Sequence, residues 1–266
     1  MDLRLDGKRA LVTGSSSGIG EAIAHYLAKE GATVVVHGRN AERTRAVAAA
    51  INDAGGISHA VTGDLTDDAS VSALVATIER EVGGIDILVN NAGGRPKGFA
   101  RDGWLGQGSD AWLDTYKLNV IATVRLIDTL APGMIERGWG RCIQIASAVA
   151  LHQPPNFPDY QAAKAAEINL SRSLSRSMAG TGVTANSISA GIIHSPGSEN
   201  ELQGIVQELK LAERWQDVER TLALDIFRQS AGRVGRGDDI AATVAFLASP
   251  VADFITGTNI VVDGGI

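Results

Sequence analysis

Tyr160 and Lys164 stand four residues apart, and Ser147 lies upstream at the end of an apolar run. On a helix, positions four apart share one face, about 6 Å apart along the axis. There an ammonium can stabilise a tyrosinate, which turns an ordinary phenol into a usable general acid/base near neutral pH. A YxxxK spacing also arises often by chance, so its meaning depends on the elements that would position it.

Short apolar runs alternate along the chain with segments of helical period. The runs predict strands at Ala10–Thr13, Thr33–Val36, Ser58–Gly63, Asp86–Asn90, Cys142–Ala146, Thr184–Ser189 and Asn259–Val262. Most are continuous apolar stretches, as strands covered on both faces should be. Ile19/Ile23/Tyr26/Leu27, Val71/Leu74/Val75/Ile78/Val82 and Ala165/Ile168/Leu174/Met178 have helical spacing, and Asp67 and Asp68 stand where the second of these would be capped. Strand–helix alternation over the whole length implies an α/β fold, a doubly wound parallel sheet with right-handed crossovers. No repeat, low-complexity tract or linker divides the chain, so residues 1–266 read as a single domain. The rhythm breaks once, in the roughly fifty residues between the sixth strand and a helix near Ile240, far beyond a normal loop. Ile205/Val206/Leu209 and Trp215/Val218/Leu222 have helical spacing inside it, which suggests a lid at about 191–230, an inert elaboration being the alternative.

Composition narrows the partners. At 266 residues and 44% hydrophobic content the chain can bury a large core, and its net charge of −6 argues against nucleic acid or an anionic membrane as main partner. The single cysteine, Cys142, forbids an internal disulfide and sits in an expected strand, where it reads as a small buried hydrophobe. The N-terminus shows no signal-peptide pattern, and no apolar stretch is expected to span a bilayer, so the expected location is cytoplasmic. The five histidines form no metal pattern; His152 and His194 fall near the expected site as loop residues.

The first strand runs into Thr13-Gly14-Ser15-Ser16-Ser17-Gly18-Ile19-Gly20, after which helical spacing begins. Gly14 permits the sharp turn, Gly18 a close backbone approach and Gly20 tight packing of helix on strand. A helix N-terminus placed there offers free N–H groups and its dipole to a pyrophosphate. The spacing is GxxxGxG rather than GxGxxG, and any tight strand-to-helix turn has similar needs.

With that turn, Asp64-Leu65-Thr66, Asn90-Asn91-Ala92-Gly93, Asn119, Ser147, Tyr160 with Lys164 and Val262-Asp263-Gly264-Gly265 in order, the chain resembles the classical short-chain dehydrogenases/reductases from end to end. The resemblance implies a Rossmann-like, seven-stranded, three-layer α/β/α fold and NAD(P)(H)-dependent interconversion of a carbonyl compound and an alcohol. By the same resemblance Tyr160 would be the general acid/base, Lys164 would lower its pKa and bond the nicotinamide ribose, and Ser147 would polarise the substrate oxygen. Asn119 would hold a water on a proton path from Lys164. Asp64 and the Leu65 backbone would contact adenine; Asn91, Ala92 and Gly93 would line the cleft, with Asn90 helping to hold the central strands together. Ile193 and Ser195 would meet the carboxamide. The resemblance also implies a homotetramer, or a dimer, built on the helices around Trp112–Leu130 and Tyr160–Met178.

A 2′-hydroxyl usually meets a carboxylate after the second strand, and a 2′-phosphate needs a cation there. Here Val34-Val35-Val36 ends in His37-Gly38-Arg39-Asn40, so Arg39 favours NADP(H) over NAD(H). Ser17 departs from the basic residue many NADP-preferring relatives carry, while Ser15 and Ser16 could still donate hydroxyls to the phosphate. After the sixth strand Ala190-Gly191 replaces the family's Pro-Gly, and Ser195 its threonine, which should loosen the nicotinamide end.

Ala148–Pro158 is largely apolar and carries three prolines, so the substrate wall should be hydrophobic. Arg95, Lys97 and Arg101 could greet an acidic carrier, or form a solvated basic loop. A 3-oxoacyl thioester or a small apolar ketone is the expected substrate, with an NAD-dependent polyol, sugar or alcohol dehydrogenase as the enzymatic alternative. A non-catalytic dinucleotide-sensing protein is the reading from another class, and retention of Tyr160, Lys164, Ser147 and Asn119 speaks against it.

Overall fold

The computed structural model describes residues 2–95, 104–105, 108–211 and 214–266. In chain order the elements are β1 (Arg9–Val12), α1 (Gly18–Lys29), β2 (Thr33–Gly38), α2 (Ala41–Asp53), β3 (Ile57–Thr62), α3 (Asp68–Val82), β4 (Ile87–Asn90), α4 (Gly108–Tyr116) and α5 (Ala122–Glu136). They continue with β5 (Gly140–Ser147), α6 (Val149–His152), α7 (Pro158–Ser177), β6 (Val183–Ala190), α8 (Glu199–Glu208), α9 (Trp215–Thr221), α10 (Gly237–Ala248) and β7 (Asn259–Val262). Each of the seven expected strands is present, within two residues at either end.

All seven strands are parallel, in the order β3-β2-β1-β4-β5-β6-β7. Sequence order reverses between β1 and β4, which opens a crevice at their carboxyl ends. Apolar residues of α1, α2 and α10 cover one face, and those of α3 and α5 the other, with α7 beside them, which is why the strands read as unbroken apolar runs. Local chemistry fixes the helix starts: Asn40 Oδ1 accepts from Arg43 N at 2.9 Å, and Asp67 Oδ2 from Ser70 N at 2.7 Å. Asp67 is the cap of α3, and Asp68 its first residue.

α4 and α5 are one continuous run, joined by a wide π turn at Lys117–Ile121 that carries Asn119. The expectation of no membrane-length apolar stretch fails on length: Gly108–Glu136 is long and apolar enough by length and composition alone. Its apolar side has a use inside the fold, where Leu126, Ile127, Leu130 and Met134 are buried against the sheet.

The long connection after β6 folds α8 and α9 around Val218, Leu222, Ala223 and Val234, with Ile205, Val206 and Trp215 packed against them. A backbone bridge between Ile193 and Gly235 closes its base.

Candidate active site

The crevice begins as a stitched pair of loops. Thr13 Oγ1 accepts from the backbone N–H groups of Asn91 and Ala92, both at 2.9 Å, while Asn91 Nδ2 donates to the Thr13 carbonyl at 2.9 Å. The loops after β1 and β4 therefore hold one another across the switch point.

His37, at the end of β2, completes this frame. Its Nδ1 accepts from Gly14 N and its Nε2 donates to the Gly63 carbonyl, both at 3.2 Å, which fixes the neutral tautomer. Burial pushes its pKa down to about 4. The unfolded chain takes up this proton near pH 6.5 and the folded chain only near 4, so falling pH favours unfolding across that window. We expect the stability advantage of the wild type over His37→Asn to shrink between those values, by up to about 3 kcal/mol. Denaturant titrations at a series of pH values check this; a difference independent of pH would contradict a buried neutral imidazole.

Beside this frame lies a cavity of about 230 Å³ whose lining includes Gly14, Ser16, Ser17, Gly38, Arg39 and Arg43 on one side and Asp64, Leu65, Ala92 and Gly93 on the other. A side chain at position 38 is sterically barred, because a Cβ there would come 2.6 Å from Ser16 Oγ and 2.7 Å from Thr44 Oγ1. The place of a ribose-binding carboxylate is thus closed, and two guanidinium groups face the cavity instead. Arg43 was not foreseen as a partner of Arg39, although four residues separate them and α2 begins between them. Asp64 is committed locally: its Oδ1 accepts from Thr66 N at 2.8 Å and from Thr66 Oγ1 at 2.7 Å, which holds its carboxyl below the usual range.

One expectation for the turn needs correcting. Ser15 is fully buried, and its Oγ donates to the Val12 carbonyl at 2.6 Å and accepts from His37 N at 2.9 Å. Its hydroxyl is therefore spent inside the fold, and only Ser16 and Ser17 line the cavity. The residues present fit a dinucleotide with a 2′-phosphate: a glycine turn opening α1, a cavity between Gly38 and Leu65, and Arg39 with Arg43 at its edge.

The reactive residues come from β5, the π turn and α7. Ser147 ends β5, and its Oγ accepts from Val149 N at 3.4 Å. α7 starts at Pro158, after Phe157 in a left-handed conformation (φ 60°). The Gln161 amide bonds the Pro154 and Asn156 carbonyls, and the Thr115 hydroxyl donates to Asp159, so the start of α7 is fixed from both sides. Tyr160 is partly exposed there, with Lys164 Nζ 5.7 Å from its ring centre.

Asn119 is fully buried and anchors the loop after β4. Its Nδ2 donates to the Gly94 carbonyl at 2.8 Å and the Thr115 carbonyl at 2.7 Å, while its Oδ1 accepts from Gly94 N at 2.9 Å. Both amide hydrogens are thus bonded within the fold. The result is a tight junction: a Cβ on Gly93 would lie 2.5 Å from Asn119 Oδ1 and 3.4 Å from Lys164 Nζ. The Asn90 side chain is buried without a hydrogen-bond partner among the described residues, while its backbone pairs with Gln144 in the ladder between β4 and β5.

On the far side of the crevice, Ser195 sits against the glycine turn, 3.6 Å from a Cβ placed on Gly18. Ile193 is buried. Ala190 remains inside β6, paired with Ser147 and Val262, so the missing proline does not break the strand. His194 stacks on Trp215 and bonds Glu199 at 2.6 Å, and His152 lies 3.3 Å from Asp263. Arg95 lies over the Phe157 ring, whereas Lys97 and Arg101 fall outside the described residues. Cys142 is buried in β5, where burial pushes its thiol up to about 12, as a packing residue would show. Among the described residues no group of three or more His, Cys, Asp or Glu side chains could hold a metal ion.

The chain is similar over nearly its whole length to known reductases. The family model described as Enoyl-(Acyl carrier protein) reductase matches residues 14–266. The 3-oxoacyl-[acyl-carrier-protein] reductase FabG of Haemophilus influenzae is 35% identical over 98% of this chain and 99% of its own. The L-sorbose reductase of Gluconobacter frateurii, solved with NADPH and L-sorbose, superposes with a TM-score of 0.91 at 32% identity, over 100% of this chain and 98% of that one. A 3-oxoacyl (acyl-carrier-protein) reductase of Agrobacterium tumefaciens with NADP bound gives 0.86 at 31% identity, over 100% and 96%.

Proposed function

Because this chain belongs to the short-chain dehydrogenase/reductase family, whose members interconvert carbonyl compounds and alcohols, we propose that it reduces 3-oxoacyl thioesters with NADPH, Tyr160 delivering the proton. The observation that supports this reading is Lys164, one turn along α7 from Tyr160: it bonds the Ile145 carbonyl of β5, two residues before Ser147, and lies next to Gly93, which lines the cavity edged by Arg39 and Arg43. When bound, the nicotinamide supplies the hydride. Gly14–Gly20 would cradle the pyrophosphate, Arg39 and Arg43 would hold the 2′-phosphate, and Asp64 and Leu65 would border the adenine. Ser147 Oγ would donate to the substrate oxygen, stabilising the charge that develops there, while Tyr160 passes its proton to that oxygen. Lys164 keeps a positive charge near the phenol, which favours the tyrosinate left behind.

The thioester reading draws support from the FabG relatives, from the largely apolar segment Ala148–Pro158 and from Arg95, which lies over the Phe157 ring. The likeness to L-sorbose reductase favours a second reading, reduction of a sugar ketone. A panel of acetoacetyl thioester, cyclic ketone and L-sorbose, each with NADPH and NADH, separates them. The thioester with NADPH is expected to turn over fastest; turnover confined to L-sorbose would select the sugar reading, and inactivity towards all three would overturn both.

Residues 191–230 would act as a lid over the substrate, supported by their own small apolar core and by Ser195 resting on the glycine turn. A homotetramer, or a dimer, formed through α4–α5 and α7 would cover the exposed Leu113 and Ile121, and light scattering measures its mass. The single, buried cysteine is compatible with a cytoplasmic location, which fractionation would test.

A further inference from the structure

Lys164 has a partner that the reaction as described does not use. Its Nζ donates to the Ile145 carbonyl at 2.9 Å and to both carboxylate oxygens of Glu167, at 2.9 and 3.1 Å. The two side chains are 4% and 2% exposed, three positions apart on the inner face of α7. Beneath them, Ser171 Oγ reaches the Glu167 carbonyl and Gln144 Oε1. A helix packing on a sheet needs only apolar residues at such positions, and a buried ion pair is weak evidence of a stabilising role. A functional reason is the better explanation for its cost.

We propose that Glu167 is a positioning residue for the reaction: its carboxylate keeps the Lys164 ammonium charged and fixed next to Tyr160. The proposal rests on Tyr160 acting as the proton donor. Burial alone pulls the Lys164 pKa down, and the groups that push it back above its ordinary value are Glu167 first and Tyr160 after it. No other element packed on α7 supplies a compensating charge among the described residues. β5 offers the Ile145 carbonyl and Gln144, and the π turn offers Asn119, all uncharged. Arg141 and Cys142 lie at the opposite end of β5. Asp110, Asp114 and Lys117 point to solvent, while Asp159 is held by Thr115 and His152 by Asp263. Burial pushes the Glu167 carboxyl upward, while its bonds to the Lys164 ammonium hold it down.

The test is the pH profile of kcat/KM for NADPH-dependent reduction by wild type, Glu167→Gln and Glu167→Asp, with NADPH affinity measured in parallel. In Glu167→Gln the alkaline limb should move down by about one pH unit or more, a tenfold loss at its foot, mainly in kcat. Glu167→Asp, which keeps the charge, should restore most of it. A folded, NADPH-binding Glu167→Gln with an unmoved limb overturns the proposal. Nitrogen-15 NMR of the Lys164 ammonium in the wild-type protein decides the matter if Glu167→Gln fails to fold. A charge held into the alkaline range supports the proposal, and loss of it near neutral pH overturns it. Wild-type inactivity towards every carbonyl tested would instead defeat the reading of the reaction, which the NMR result does not depend on.

Discussion

Replacing Tyr160 with Phe is expected to lower kcat about a thousandfold while leaving NADPH affinity within about twofold of the wild type. The substitution removes one oxygen from a partly exposed ring at the start of α7 and leaves Lys164 bonded to Ile145 and Glu167. The cofactor cavity between Gly38 and Leu65 is lined by other residues, so binding has no reason to fail. Ser147 would still polarise the substrate oxygen, which is why some turnover should survive. Steady-state rates together with fluorescence titration of NADPH check this. Equal losses in both would mean that Tyr160 shapes the fold rather than donating a proton, and unchanged turnover would remove it from the chemistry.

The second large effect concerns the choice of nicotinamide. Arg39→Ala is expected to lower kcat/KM for NADPH by about 10- to 100-fold, the value of one or two charge-assisted hydrogen bonds, and to change that for NADH by less than about threefold. Adding Arg43→Ala should deepen the NADPH loss, since both guanidinium groups face the same cavity. Both side chains are exposed, so the effect should be largest at low ionic strength. Gly38 explains why this discrimination cannot simply be inverted there: a carboxylate side chain would collide with Ser16 and Thr44. A loss of equal size for NADH would show that the arginines hold α2 in place and do not read the phosphate.

Much of the site was legible because its information is local. Four-residue spacing put Tyr160 and Lys164 on one face of α7, a glycine-rich turn announced the start of α1, and continuous apolar runs marked strands covered on both sides. What stayed hidden depends on where helices meet the sheet. Glu167 has helical spacing from Lys164, yet only the packing of α7 on β5 shows that both are buried and joined. His37 reads as the residue that follows a strand until Gly14 and Gly63 close on its two nitrogens. Ser15 looked like a phosphate donor because sequence does not show that the β1–α1 turn directs its hydroxyl inwards. The Asn119 side chain likewise anchors the loop after β4 through Gly94, a contact that its place in a helical segment does not show.

The central claim, direct hydride transfer from NADPH to a carbonyl carbon with a protein-held proton donor, is tested most directly with NADPH carrying deuterium at the transferable C4 position. Incubation of the wild type with acetoacetyl thioester should give a hydroxyacyl product with one deuterium on the new carbinol carbon, formed at a rate that Tyr160→Phe lowers about a thousandfold. NADPH consumption that leaves the carbinol carbon unlabelled, or a labelled product formed equally fast by Tyr160→Phe, would contradict it.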